Sequence, residues 1–213
     1  MSLSLRRSLP VAAVLTALSL TVPLSAGAST LTVLSEGHVD VVGVAYEDGD
    51  LHVHVHDEEN EAEYQPHQVI LKVKPEAQAT IPSAPEYSFL GTAGQPVWIL
   101  PEVEQEGLLF AGFGAEELPG GVFKDDKVKV KFVAAFGPGD FALFTNDETP
   151  NVVMDSDDPA PNELELSAGG HLHANWAFNK AGWHVLVFKV TGKLAADNQT
   201  VSSGLVTYTF KVG

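Results

Sequence analysis

The chain has 213 residues, no cysteine, 12 Lys plus Arg against 28 Asp plus Glu, and a formal charge of -16. Zero cysteines exclude disulfides, thiolate nucleophiles, Cys-ligated zinc and iron–sulfur clusters. So acidic a chain also lacks the basic face that nucleic-acid phosphates require, while a hydrophobic share of 45% is ordinary for a folded protein.

Residues 1–28 read as a secretory signal peptide. Arg6 and Arg7 form a positive start, Leu9 to Leu24 is an uncharged apolar run, and Ala26-Gly27-Ala28 fits a small-residue cleavage site. Pro10 and Pro23 interrupt the run and argue against a retained anchor. Removing this segment takes away two basic residues and no acid, so the remaining chain is more acidic still. No later apolar run reaches membrane length. The expected location is secreted or extracytoplasmic, with cell-surface association left open.

From there the dominant signal is alternation, which argues for strands. Val39 to Tyr46 and Leu51 to His56 flank Glu47-Asp48-Gly49-Asp50, and Asp-Gly is a strong hairpin turn. Gln68 to Lys74 alternates with Val69, Leu71 and Val73 on one face, and Val97 to Leu100 is short and apolar. Between Pro75 and Gly121, Pro and Gly punctuate the chain, with room for one helical turn at Glu102 to Gly107. Lys127 to Phe136 sets three lysines opposite Val128, Val130 and Phe132. Gly137-Pro138-Gly139-Asp140 is a turn. Phe141 to Thr145, His171 to Phe178, Trp183 to Val190 and Leu205 to Val212 complete the set. The expected fold class is all-β: an antiparallel β-sandwich over residues 29–213, immunoglobulin-like in its C-terminal half, with a subdivision near 116 left open. Trp98, Trp176 and Trp183 are expected in the core.

Five of the eight histidines fall in two alternating motifs, His52-Val53-His54-Val55-His56 and His171-Leu172-His173. Residues i and i+2 of a strand share a face, so His-x-His can offer two imidazoles to one metal ion. The opposite faces, Leu51/Val53/Val55 and Leu172/Ala174/Trp176/Phe178, are apolar, which puts both histidine sets on non-core faces. If the two strands meet, His54, His56, His171 and His173 supply four nitrogens, a number that suits zinc; imidazole also serves copper or nickel. His38-Val39-Asp40 is a third candidate. A two-residue turn at Asp48-Gly49 pairs Tyr46 with Leu51 and Asp40 with Asp57, which turns His38 and Asp40 to the core side. A bulge would return them to the histidine face. His184, within an apolar strand, reads as a packing residue. Asp155-Ser156-Asp157-Asp158 reads as a solvated acidic loop rather than a calcium site, and the chain has no Gly-x-Ser-x-Gly, His-Glu-x-x-His or phosphate-cradling motif.

Three blocks of sequence carry a family resemblance. They are Gly37-His38-Val39-Asp40-Val41; Phe89-Leu90-Gly91 with Pro96-Val97-Trp98-Ile99-Leu100-Pro101; and His171-Leu172-His173-Ala174-Asn175-Trp176-Ala177-Phe178. Over about residues 31–213 the chain resembles the actinobacterial surface-anchored domain family, the choice-of-anchor M domain proteins. The resemblance implies an exported protein, often encoded beside metal-type ABC transporters, and a role in extracellular zinc or manganese handling. It carries His38, His171 and His173 as site positions and extends less firmly to His54 and His56. This sequence departs by ending at Gly213 without an anchor.

These readings converge on a secreted metal-binding protein, zinc favoured and copper, manganese or nickel open, that scavenges or delivers metal for an ABC importer. Its candidate ligands are His38, His54, His56, His171 and His173. Its partners would be the ion and the substrate-binding protein of a metal ABC transporter, with no nucleic acid and no membrane span. The expectation is of no enzyme. The rivals are a structural or adhesive surface module without metal, and a histidine-ligated metalloenzyme with Asp40 and Glu36 as acid–base candidates.

Overall fold

The structure, a computed structural model, describes residues 31–158 and 162–213. The signal-peptide reading of residues 1–28 lies outside the described residues. In chain order the strands are β1 (Thr32–Leu34), β2 (Gly37–Glu47), β3 (Asp50–Asp57), β4 (Ala62–Tyr64), β5 (Val69–Val73) and β6 (Gln78–Thr80). Then follow β7 (Pro96–Leu100), β8 (Leu109–Gly114), β9 (Phe123–Phe136), β10 (Phe141–Asn146) and β11 (Pro150–Asp155). The last five are β12 (Glu163–Ser167), β13 (His171–His173), β14 (Asn175–Phe178), β15 (Gly182–Leu194) and β16 (Thr200–Val212).

They form three sheets, ordered β1-β5-β16-β15-β9-β12, β11-β10-β14-β7-β6 and β13-β8-β2-β3-β4. Each sheet draws strands from both sides of residue 116, so the two halves of the chain build one sandwich. Most neighbours are antiparallel, as the alternation and tight turns predict. Parallel pairs join β1 to β5, β5 to β16, and β2 to β8. The last of these shapes the candidate site.

The first sheet packs against the other two through a run of aromatic contacts. Trp176 on β14, fully buried, lies 5.1 Å from Phe113 on β8, 5.7 Å from Phe141 on β10 and 5.8 Å from Phe210 on β16, ring centre to ring centre. It therefore touches all three sheets. The continuous core runs from Leu34 to Val212. A smaller cluster of Ile81, Leu90, Val97, Ala142, Phe144 and Ala177 covers the other face of the second sheet. That cover explains why β14 is buried on both faces, with Asn175 held as donor to the Phe144 carbonyl and acceptor from the Glu102 N–H.

Two local expectations are corrected. Glu102 to Gly107 takes bends and a turn rather than a helical turn: the Glu102 N–H and carboxylate are spent on Asn175 and Asn146. Short 3-10 helices lie instead at Pro66–Gln68, Pro75–Ala77 and Pro85–Leu90, each opening on a proline whose fixed φ suits a first helical position. Trp183 is 54% exposed, outside the core. The alternation of β15 buries His184 and so turns Trp183 outward, where the Lys211 ammonium lies 5.4 Å from its ring. Trp98 is half-buried at the core margin.

Candidate metal centre

A single extra residue in β2 decides which face carries His38 and Asp40. The hairpin turn has positive φ at both Asp48 and Gly49, 51° and 93°, the type I′ geometry that matches strand twist. It pairs Tyr46 with Leu51, and the register continues to Gly43 opposite His54. Beyond that point Asp40 stands opposite His56, so Val41 and Val42 together face Val55. The same bulge interrupts the pairing of β2 with β8. Val41 and Val42 are both fully buried, so core packing holds the bulge in place. The strand's phase is inverted there, and Asp40 shares a face with His54 and His56.

β8 lies between β2 and β13 and supplies room. Asp40 pairs with Gly112 on one side, and His173 pairs with Gly112 and His171 with Gly114 on the other. Strands two places apart are about 9.5 Å distant, so side chains from β2 and β13 must lean over β8 to meet. Glycine permits that. A Cβ at Gly112 would stand 2.7 Å from Asp40 Oδ1 and 2.7 Å from His173 Cε1, and one at Gly114 would overlap Asp40 Oδ2.

Four donor atoms converge over these glycines. Those of His38, Asp40, His171 and His173 all lie within 4.8 Å of one another. His38 Nε2 is 3.2 Å from His171 Nε2 and 3.1 Å from His173 Nε2. Asp40 Oδ1 is 2.5 Å from His171 Nε2 and 3.9 Å from His38 Nε2. A tetrahedral ion bound at about 2.0–2.1 Å separates its ligands by roughly 3.3 Å, which falls within this spread.

The outer nitrogens fix the tautomers. His173 Nδ1 donates to the Ala111 carbonyl at 3.1 Å. His171 Nδ1 is 2.7 Å from Glu116 Oε1, which as a carboxylate accepts. Both Nε2 lone pairs therefore point inward, the orientation that partnered ligand histidines adopt in metal sites. Turned toward each other and toward a carboxylate oxygen, such acceptors repel unless a proton or cation lies among them.

Burial keeps His173 in the neutral, metal-ready form and works against ionisation of Asp40. Asp40 is buried, and that burial pushes its carboxyl up, opposed chiefly by His171. His173 is lowered to about 4, mainly by burial and then by its neighbours His171 and His38, so it is neutral at physiological pH. Phe110 stacks on the His173 ring at 3.5 Å and closes one side. His184 is also lowered by burial; its Nε2 donates to the Lys180 carbonyl over 2.9 Å, and it packs on Phe178 as the sequence suggested.

These shifts set a pH dependence for the metal-free protein. The unfolded imidazoles take up protons below about 6.5 whereas native His173 waits until about 4, so the unfolded state binds more protons in between. His184 acts in the same sense. Stability should be greatest above pH 6.5 and fall as pH is lowered toward 4. Asp40 and Asp155, both raised by burial, oppose this at the acid end of the window. Urea midpoints measured from pH 7.5 to 5 should decline, and a flat profile would refute the assignment.

His54 and His56 do not join this group. They form a second one with Glu117, and His56 a third with Asp40 and Glu58. His52 lies on the same strand face but belongs to neither. Glu36, an acid–base candidate from the sequence, pairs instead with Lys74 at 2.5 Å, which holds its carboxyl below the usual range. Asp155 in the acidic loop accepts the Asp157 N–H at 2.8 Å, the local turn that aspartate commonly makes. The sequence reading did not single out Glu58, Glu116, Glu117, Gly112 or Gly114. The signal available was Gly-x-Gly on a strand with two acids, Glu116 and Glu117, just beyond Ala115.

No family model and no curated protein matches the chain. Among solved structures, the ASH/PapD-like domain of human CEP192 (PapD-like domain 7) aligns at 12% identity, over 41% of this chain and 63% of that one, with a TM-score of 0.21. Among the described residues, no helix is long and apolar enough to cross a membrane.

Proposed function

We propose that this is an extracytoplasmic metal-binding protein whose ion is held by His38, Asp40, His171 and His173. One observation carries the reading: three imidazole Nε2 atoms and one buried carboxylate oxygen converge, while the Nδ1 atoms of His171 and His173 are engaged by Glu116 and the Ala111 carbonyl. Three nitrogens and one oxygen at this spacing suit zinc, with copper, manganese and nickel as competitors. Four protein ligands fill a tetrahedron, an arrangement for holding an ion rather than for turning over substrate at an open position.

Capture outside the cytoplasm and delivery to a metal ABC importer follow from this reading together with the signal-like first 28 residues and the resemblance to the actinobacterial surface-anchored domain family. The strongly acidic surface, with 28 acids against 12 bases, would concentrate cations around the protein. The test is metal content after exposure to mixed zinc, copper, manganese and nickel followed by dialysis. About one tightly held ion per chain, lost in His171→Ala/His173→Ala, is the expected result. Equal content in the two proteins would refute the assignment, and no retained metal in either would favour a structural surface module.

A further inference from the structure

The groups around His54 and His56 are not used by the site just described, yet they adjoin it. A cleft of about 290 Å³ opens beside Asp40, walled by His54, His56, Glu58, Glu116 and Glu117. Its lining among the described residues contains four carboxylates and two imidazoles and neither Lys nor Arg. Carboxylates gathered without a cation repel one another. This cleft lies over the central strands β8, β2 and β3 of the third sheet.

The arrangement is built rather than incidental. His54 is buried to 7% exposure and lies flat over Gly43, where a Cβ would stand 2.5 Å from its Nε2. Its Nε2 is 3.5 Å from Glu117 Oε1, and His56 Nδ1 is 3.2 Å from Glu58 Oε1. Ligand atoms of His54, His56 and Glu117 fall within 4.8 Å of one another, as do those of Asp40, His56 and Glu58. Asp40 belongs to both neighbourhoods. Its Oδ1 faces His171, while its Oδ2 lies over Gly114, a residue of the cleft wall.

We propose that the cleft is a second divalent-cation site, with His54, His56 and Glu117 as ligands, adjoining the first ion's Asp40. The ligand set mixes imidazole and carboxylate, which suits a first-row divalent ion from manganese to zinc. The cleft is open to solvent, so water or an incoming ligand completes the second ion's shell, and this ion exchanges more readily than the first. The ligands of this second site are independent of His38, Asp40, His171 and His173.

Equilibrium dialysis against zinc at saturating free concentration tests it. About two ions per chain are expected in the wild type, and one fewer in both His54→Ala/Glu117→Gln and His171→Ala/His173→Ala. His56→Ala/Glu58→Gln provides a second probe of the cleft should the first variant fail to fold, judged by thermal melting without metal. If the cleft variants keep the wild-type count, the second site is overturned, whatever the His171/His173 variant does. If only the His171/His173 variant keeps the count, the first site fails and the second stands.

Discussion

A Gly112→Ala/Gly114→Ala variant is expected to lose at least about a hundredfold in zinc affinity although it alters no candidate ligand. The two added methyl groups would fall on Asp40 from both sides, at Oδ1 and Oδ2, and on the His173 ring. Asp40 is 1% exposed and cannot swing away without leaving the cluster. Displacing partners that merely orient ligands costs about 10–100-fold in metal affinity, and here a candidate ligand itself must move. Overpacking should also cost about 1–3 kcal/mol of stability. Competition against a chromophoric chelator measures the first effect and denaturant unfolding the second. An affinity within threefold of wild type would show that the glycines do not make room for the site.

Trp176→Ala should be the most destabilising single substitution in the core, by about 3–5 kcal/mol. The indole contacts Phe113, Phe141, Phe188 and Phe210 and so joins all three sheets. No single sheet can close the void, because each of the four rings is anchored on a different strand. Against a total stability of about 5–15 kcal/mol, that loss is a large fraction. It corresponds to a melting temperature lower by roughly 6–20 °C for a domain of this size. The candidate centre should suffer with it, since β13 and β14 are separated only by Ala174. Calorimetry on wild type and variant decides the matter; a drop under about 3 °C would mean the core closes around the gap.

How much could be read from residue order differs between strand and site. The hairpin of β2 and β3 was legible because Asp48-Gly49 demands a turn with two positive φ angles and the flanking residues alternate. The Lys127/Lys129 face was legible too, and the structure adds its partners, Glu165 and Glu163 at 2.8 and 2.6 Å. His171 and His173 share a face by periodicity alone. Trp183 was misread because an apolar residue in an alternating strand has two faces to choose from, and the burial of His184 reversed the choice.

The composition, the turn chemistry and the period-two patterns of this chain determine an acidic all-β protein with His-x-His pairs facing away from the core, because each of those features depends on residues near one another in sequence. Which histidines meet depended on contacts that sequence spacing does not encode. The parallel pairing of β2 with β8 placed Gly112 and Gly114 between Asp40 and His171/His173. The bulge at Val41 and Val42 then turned Asp40 toward them, because burying both valines requires the extra residue. A one-residue shift in register moves every side chain to the opposite face, so which candidate ligands come together was decided only by the bulge and by the pairing of β2, β8 and β13 within one sheet.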